Sequence, residues 1–259
     1  MVNDYSSITE LPNTMVTNIQ LKRAHQRYVF ASKHCDGKVV LEIGCGGGQG
    51  LEILSAKAKK VIGCDIDDSN IELCRATYKD RPAIEILKMN ANNLEFQDRS
   101  VDVIVLFETI YYLKEVTKFF LEANRILSKD GRLIICTTNK DWPNFNPSPF
   151  STQYFSVMEL CQLSLANGFN IDMYASFPDI QINLLSKLIS FIKRVAVKHH
   201  FMPKTMKGKV LLKKIFQGKM VTYPKILNKD LFDYESPIII PTDKNDTIHT
   251  AIFAVCRKV

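Results

Sequence analysis

No apolar run in this 259-residue chain approaches the roughly 20 consecutive residues that a membrane-spanning helix needs. The first residues are polar and acidic rather than basic and then apolar, so no secretory leader is expected either, and the cytoplasm is the expected compartment. Cysteines at metal or redox spacing are missing too. The seven, Cys35, Cys45, Cys64, Cys74, Cys136, Cys161 and Cys256, form an odd set without a C-x-x-C pair, which argues for reduced core residues rather than zinc ligands or a disulfide framework. His199 and His200 are adjacent, would point about 100° apart on a helix, and have no acid or cysteine nearby. No metal is expected. Repeats and low-complexity tracts are absent, and tryptophan occurs once, at Trp142.

The most informative absence is local. Residues 180–229 contain twelve basic residues and no acid, whereas the rest of the chain holds 22 basic and 27 acidic residues. The overall charge of +7 therefore resides in one stretch. Its first part sets Leu184, Leu185, Leu188, Ile189, Ile192 and Val195 among Lys187, Lys193, Arg194 and Lys198, the pattern of a basic amphipathic helix. An ordinary solvated face is one reading. The other is a surface for an anionic partner: a lipid- or nucleotide-linked sugar, the membrane face that holds one, or RNA.

What is present is a β/α alternation. Short β-rich runs alternate with helical patterns from residue 38 to about 175, and 46% hydrophobic content suffices for one substantial core. Val40-Leu41-Glu42-Ile43 reads as a buried strand that runs into Gly44, Gly46, Gly47, Gly48 and Gly50. Such a turn lets backbone approach a ligand closely. The dinucleotide pattern G-x-G-x-x-G fails in every frame, since its last position falls on Gln49, Leu51 or Ile53. A second strand over residues 60–64 ends at Asp65, 21 residues after Gly44, where a carboxylate can accept from ribose hydroxyls. Asp67 and Asp68 fit helix capping instead.

The spacing acid-x-Gly-x-Gly-x-Gly, from Glu42 through Gly44, Gly46 and Gly48, resembles motif I of the class I S-adenosylmethionine-dependent methyltransferases. Residues 124–135, between the expected fourth and fifth strands, resemble the same family. The resemblance implies an α/β, doubly wound, mostly parallel seven-stranded sheet with a C-terminal antiparallel hairpin, and S-adenosylmethionine as cofactor. It implies cofactor-binding roles for Glu42, Gly44, Cys45, Gly46, Gly48, Asp65 and Ile66. Where the family usually shows Gly-Asp-Ala, this chain has Met89-Asn90-Ala91, so Asn90 and Ala91 would meet the adenine through an amide rather than an acid. Phe107 closes the fourth strand. Ahead of the first strand, residues 24–31 resemble a helix folded over the cofactor, with Arg27 and Tyr28 facing the methionine carboxylate, or else an ordinary basic helix.

Methyl transfer to a hydroxyl benefits from a general base, and Glu108, Tyr111, Tyr112 and His25 are candidates. Asp141, Trp142 and Phe145 lie in a proline-rich loop after the fifth strand, placed to wall a substrate. That loop resembles a bacterial subgroup associated with cell-surface polysaccharide and glycolipid modification. The expected organisation is a cap helix region over 1–37, a cofactor-binding core over 38–175, a basic helical insertion over 176–247, and a final core strand over 248–259. The expected reaction is methyl transfer to a hydroxyl or amine of a small molecule, sugar or glycan, with peripheral hold on a membrane face through 180–229. RNA methylation and a non-catalytic binding or regulatory role are the alternatives; no Asn-Pro-Pro-Tyr-like tetrad or added RNA-binding module is apparent.

Overall fold

The computed structural model describes residues 10–179 and 220–259. Strand β1 (Met15–Thr17) leads into helix α1 (Asn18–Ser32), which starts with a capping box: Thr17 Oγ1 accepts from the Gln20 amide and Gln20 Oε1 accepts from the Thr17 amide. Then follow β2 (Val39–Ile43), the short α2 (Leu51–Ser55), β3 (Lys60–Asp65), α3 (Asp68–Tyr78), β4 (Ile84–Lys88), β5 (Val101–Phe107), α4 (Val116–Ile126), β6 (Leu127–Thr138), α5 (Val157–Ala166), β7 (Phe169–Pro178), β8 (Met220–Thr222), β9 (Ile238–Ile240) and β10 (His249–Lys258). Asp67 caps α3 by accepting from the Ser69 and Asn70 amides.

The main sheet has the order β4-β3-β2-β5-β6-β10-β7-β9. Strands β2 to β6 pair in parallel, and β10 inserts antiparallel between β6 and β7. Seven strands match the expected sheet. An eighth, β9, extends the edge by pairing antiparallel with β7, a three-residue addition that the sequence pattern did not announce.

Alternation along the parallel strands splits the core into two layers. Val40, Val103, Val105 and Ile134 pack toward α1, α2 and α3, while Leu41, Ile43, Ile104, Leu106 and Leu133 pack toward α4 and α5 with Phe119 and Phe120. Each buried phenylalanine contributes about 2 to 3 kcal/mol of transfer free energy.

Residues 220–235 run back over α1. β8 pairs antiparallel with β1, the Leu227 amide donates to the Gln49 carbonyl, and Gln26 bonds the backbone at Asp233 and Glu235. Between 220 and 247 the chain is extended with two short strands and no helix. The expected amphipathic helix, His199, His200 and the basic stretch apart from Lys225 and Lys229 lie outside the described residues.

Candidate active site

A cavity of about 720 Å³ opens beyond the C-terminal ends of the parallel strands, within the range of small-molecule sites. The glycine turn forms its floor. Gly44, Gly46 and Gly48 all have positive φ, so the alternating glycines satisfy a backbone path that L side chains rarely adopt. A Cβ on Gly44 would run into the Thr109 side chain, and one on Gly50 would enter the Tyr28 ring. Gly48 does not line the cavity; its backbone packs beneath Cys74 and Tyr78, whose hydroxyl donates to the Gly48 carbonyl.

Asp65 stands at the tip of β3 and lines the cavity. One carboxylate oxygen accepts from the Gly46 amide at 2.9 Å and the other from the Asp67 amide at 2.9 Å. The acid therefore fastens the glycine turn and still has lone pairs toward the cavity. Ile66, Asn90, Ala91 and Phe107 line the same space. Asn90 Oδ1 already accepts from the Asn92 amide at 2.9 Å, a local Asx turn that occupies one of its two lone pairs.

Tyr28 lines the cavity with its ring, but its hydroxyl turns away and donates to Glu42 Oε1 at 2.6 Å. That differs from the expectation that it meets a cofactor carboxylate. Glu42 sits behind Tyr28, 1% exposed and off the cavity wall. Burial pushes Glu42 up to about 8, against the opposing hydrogen bond from Tyr28 and the charge of Arg27, and its Oε2 has no partner. Cys45 lines the cavity; a hydrogen bond with Cys74 and burial raise its thiol well above the ordinary value, so it is no nucleophile at neutral pH.

Glu108 follows β5 in a left-handed backbone conformation, φ 48°, that strains a non-glycine residue. Its Oε2 accepts from the Tyr111 hydroxyl at 3.0 Å and the Thr138 hydroxyl at 3.1 Å, and its Oε1 lies 4.0 Å from an Arg27 nitrogen. Burial raises Tyr111 well above its ordinary value, which keeps it a donor rather than a base. Tyr112 shares a 2.7 Å hydrogen bond with Ser148. His25 is not at the cavity: its buried ring bonds the Lys229 carbonyl at 2.7 Å and meets the Phe232 edge. Helical spacing explains this, since His25 points to a different side of α1 from Arg23 and Arg27.

The loop after β6 also departs from expectation. Trp142 donates its indole N–H to Asp179 at 2.7 Å, Phe145 packs edge-on against Tyr154, and Asp141 is pushed upward by burial; none of the three lines the cavity. The loop braces the end of β7 instead.

Several lining residues escaped the sequence reading. Arg23 precedes Arg27 by one helical turn, a spacing that signals a shared face. Asn70, Tyr223 and Thr250 reach the cavity through tertiary placement that no local pattern carries. Arg23 Nε, Arg27 Nε, Asn70 Oδ1 and Thr250 Oγ1 are buried without hydrogen-bond partners.

Residues 41–135 match the family model described as "Methyltransferase domain". A probable S-adenosylmethionine-dependent methyltransferase of Mycolicibacterium smegmatis is 32% identical over 168 residues, 62% of this chain and 63% of that protein. The chain thus spans less than two thirds of that relative's length. Among solved structures, the YcgJ protein of Bacillus subtilis is 19% identical, with a TM-score of 0.58 over 90% of this chain and 98% of that one. The [4+2]-cyclase SpnF superposes with a TM-score of 0.60 at 15% identity over 92% of this chain and 81% of that one, so likeness of fold alone does not fix the reaction. Residues 41–135 are thus similar to a methyltransferase domain, and the parallel sheet beneath the glycine turn is the fold on which that similarity rests.

Proposed function

We propose that this protein moves the sulfonium methyl of S-adenosylmethionine to a hydroxyl of a small molecule or sugar, with Glu108 as the general base. The observation that carries this reading is the Glu108 carboxylate, held at the tip of β5 by the Tyr111 and Thr138 hydroxyls inside the cavity. An amine acceptor would need the same base less, because a neutral amine is already nucleophilic.

The residues present fit the cofactor. Asp65 has acceptor capacity left for ribose hydroxyls, Arg27 Nε is a buried donor without a partner, suited to a carboxylate, and Asn70 Oδ1 is a buried acceptor without one. Asn90 and Ala91 border the cavity where an adenine would lie. When bound, S-adenosylmethionine supplies a methyl group on a positively charged sulfur. The chain's own part is to align the acceptor, exclude water and receive one proton. Tyr111 and Thr138 keep Glu108 turned toward the cavity, so its carboxylate can take the acceptor hydroxyl's proton as the C–O bond forms.

Cationic residues 180–229 support an acceptor carried on an anionic lipid or glycan. The test incubates the full chain and a Glu108→Gln variant with labelled S-adenosylmethionine and separate small-molecule, lipid, polysaccharide and RNA fractions. Label in one fraction, lowered about a hundredfold or more by Glu108→Gln while S-adenosylhomocysteine affinity holds, is the expected result. Equal labelling by both proteins sinks the base assignment, and label in RNA alone sinks the small-molecule reading.

A further inference from the structure

Among the described residues, Arg23 is a cation in the cavity wall with no hydrogen bond and no ion pair, and its Nε is sealed from solvent. The acids that act on it from a distance are committed elsewhere: Glu108 to Tyr111 and Thr138, Asp179 to Trp142 and Asn144, and Glu10 to Gln20. Burial lowers its pKa, as for a guanidinium short of compensation. With its nearby acids bonded elsewhere, this guanidinium is only partly compensated, and an anionic occupant would offset the cost of its burial.

Its surroundings define that occupant. The guanidinium sits 5.3 Å from the centre of the Phe177 ring, and Phe177 adopts a left-handed backbone, φ 59°. Across the β7–β10 ladder, Ser176 pairs with Ala251 and Pro178 with His249, which sets Phe177 opposite Thr250. Thr250 Oγ1 is a second buried cavity group without a hydrogen-bond partner. A guanidinium backed by an aromatic face and joined by a free hydroxyl is a donor set for a carboxylate or phosphate.

The sheet order separates this place from the cofactor residues. Asp65 ends β3, Glu108 follows β5, and Phe177 and Thr250 belong to β7 and β10. Between β5 and β10 lie two strand spacings, about 10 Å, on the side away from Asp65. We propose that Arg23, with Thr250, binds an anionic group of the methyl acceptor, so that the acceptor carries a carboxylate or phosphate within about 10 Å of the hydroxyl that meets Glu108. This rests on the methyltransferase reading for its order of groups, though the anion subsite itself is testable alone.

Calorimetry on the full chain, at low ionic strength in a buffer free of competing anions, decides it. Inorganic phosphate and acetate are titrated separately into protein with and without S-adenosylhomocysteine, for the native chain, Arg23→Met, Arg23→Lys and Thr250→Val. The expected result is that the native protein binds one anion, that Arg23→Met weakens it at least about tenfold, and that Arg23→Lys and Thr250→Val weaken it less. Preference between the two probes tells a phosphorylated from a carboxylated acceptor. S-adenosylhomocysteine affinity should stay within about twofold, and Arg23→Met should melt no lower than the native chain, because it removes an unpaired charge. A tenfold loss of S-adenosylhomocysteine affinity in Arg23→Met would overturn the proposal by giving Arg23 to the cofactor's own carboxylate. Anion binding that is absent, or equal in native and Arg23→Met proteins, overturns it as well. A native chain that binds phosphate through Arg23 but no S-adenosylhomocysteine would instead overturn the methyltransferase reading and leave the subsite standing.

Discussion

Asp65 and Glu42 are two buried acids that hold the structure around the cavity, one in its wall and one behind it. Because Asp65 accepts from the Gly46 and Asp67 amides, Asp65→Ala removes an anchor of the glycine turn along with the proposed ribose acceptor. Its S-adenosylhomocysteine affinity should fall by on the order of 2 kcal/mol, and its stability by about 1 to 3 kcal/mol. Unchanged calorimetric affinity in a folded Asp65→Ala protein would remove the ribose assignment. Glu42 makes a pH prediction. Raised from an ordinary 4.5 to about 8, it holds its proton more tightly folded than unfolded, so the stability it contributes is complete below 4.5 and is lost as pH rises through about 8. Glu42→Gln should therefore flatten the pH dependence of melting across that window and stabilise the ligand-free protein at pH 9 by on the order of 2 kcal/mol. Parallel melting curves for both proteins from pH 5 to 9 would show that Glu42 is ionised throughout. At this scale Asp65 was legible in the sequence, since a strand end at fixed distance from the glycines marks it. The Tyr28–Glu42 bond was not: the two meet through the packing of α1 on β2, and no spacing rule links positions 14 residues apart.

Elements follow the same division. β2, β3 and β5 were readable because strands buried on both faces are largely apolar runs, β4 because Ile84 and Ile86 alternate with Glu85, and α4 because its apolar residues recur at helical spacing around Phe119, Phe120, Ala123 and Ile126. β8 and β9 were not, since three residues carry no period and their partners lie far away in sequence. The loop holding Trp142 was given to the substrate because aromatic and proline residues follow a strand end, yet Asp179 claims the indole. The seating of α1 on α2 depends on Gly50, where any side chain enters the Tyr28 ring. Gly50→Val should cost about 1 to 3 kcal/mol, since the overpacked pair must shift. Combining it with Tyr28→Ala should cost less than the sum of the two single changes. Strict additivity in denaturant melts would mean that the helices already separate elsewhere.

Over the whole molecule, charge is arranged more sharply than hydrophobicity. A chain whose 180–229 segment carries twelve cations and no acid, against a net −5 elsewhere, is expected to attract anionic surfaces through that segment. The attraction should weaken with salt, because exposed charges are screened over about 8 Å at physiological ionic strength. Reversing Lys187, Lys193, Arg194 and Lys198 to Glu changes the segment by eight charges and should abolish sedimentation with vesicles rich in anionic lipid at low salt. S-adenosylhomocysteine affinity should persist in that variant, because the described residues that line the cavity shared by Asp65, Arg27 and Glu108 lie outside 187–198. Native protein that pellets with neutral and anionic vesicles alike would trace the association to apolar contact rather than charge. Native protein that pellets with neither, at low or physiological salt, would leave the basic segment without a membrane role and make a soluble anionic acceptor, read by Arg23 alone, the simpler account.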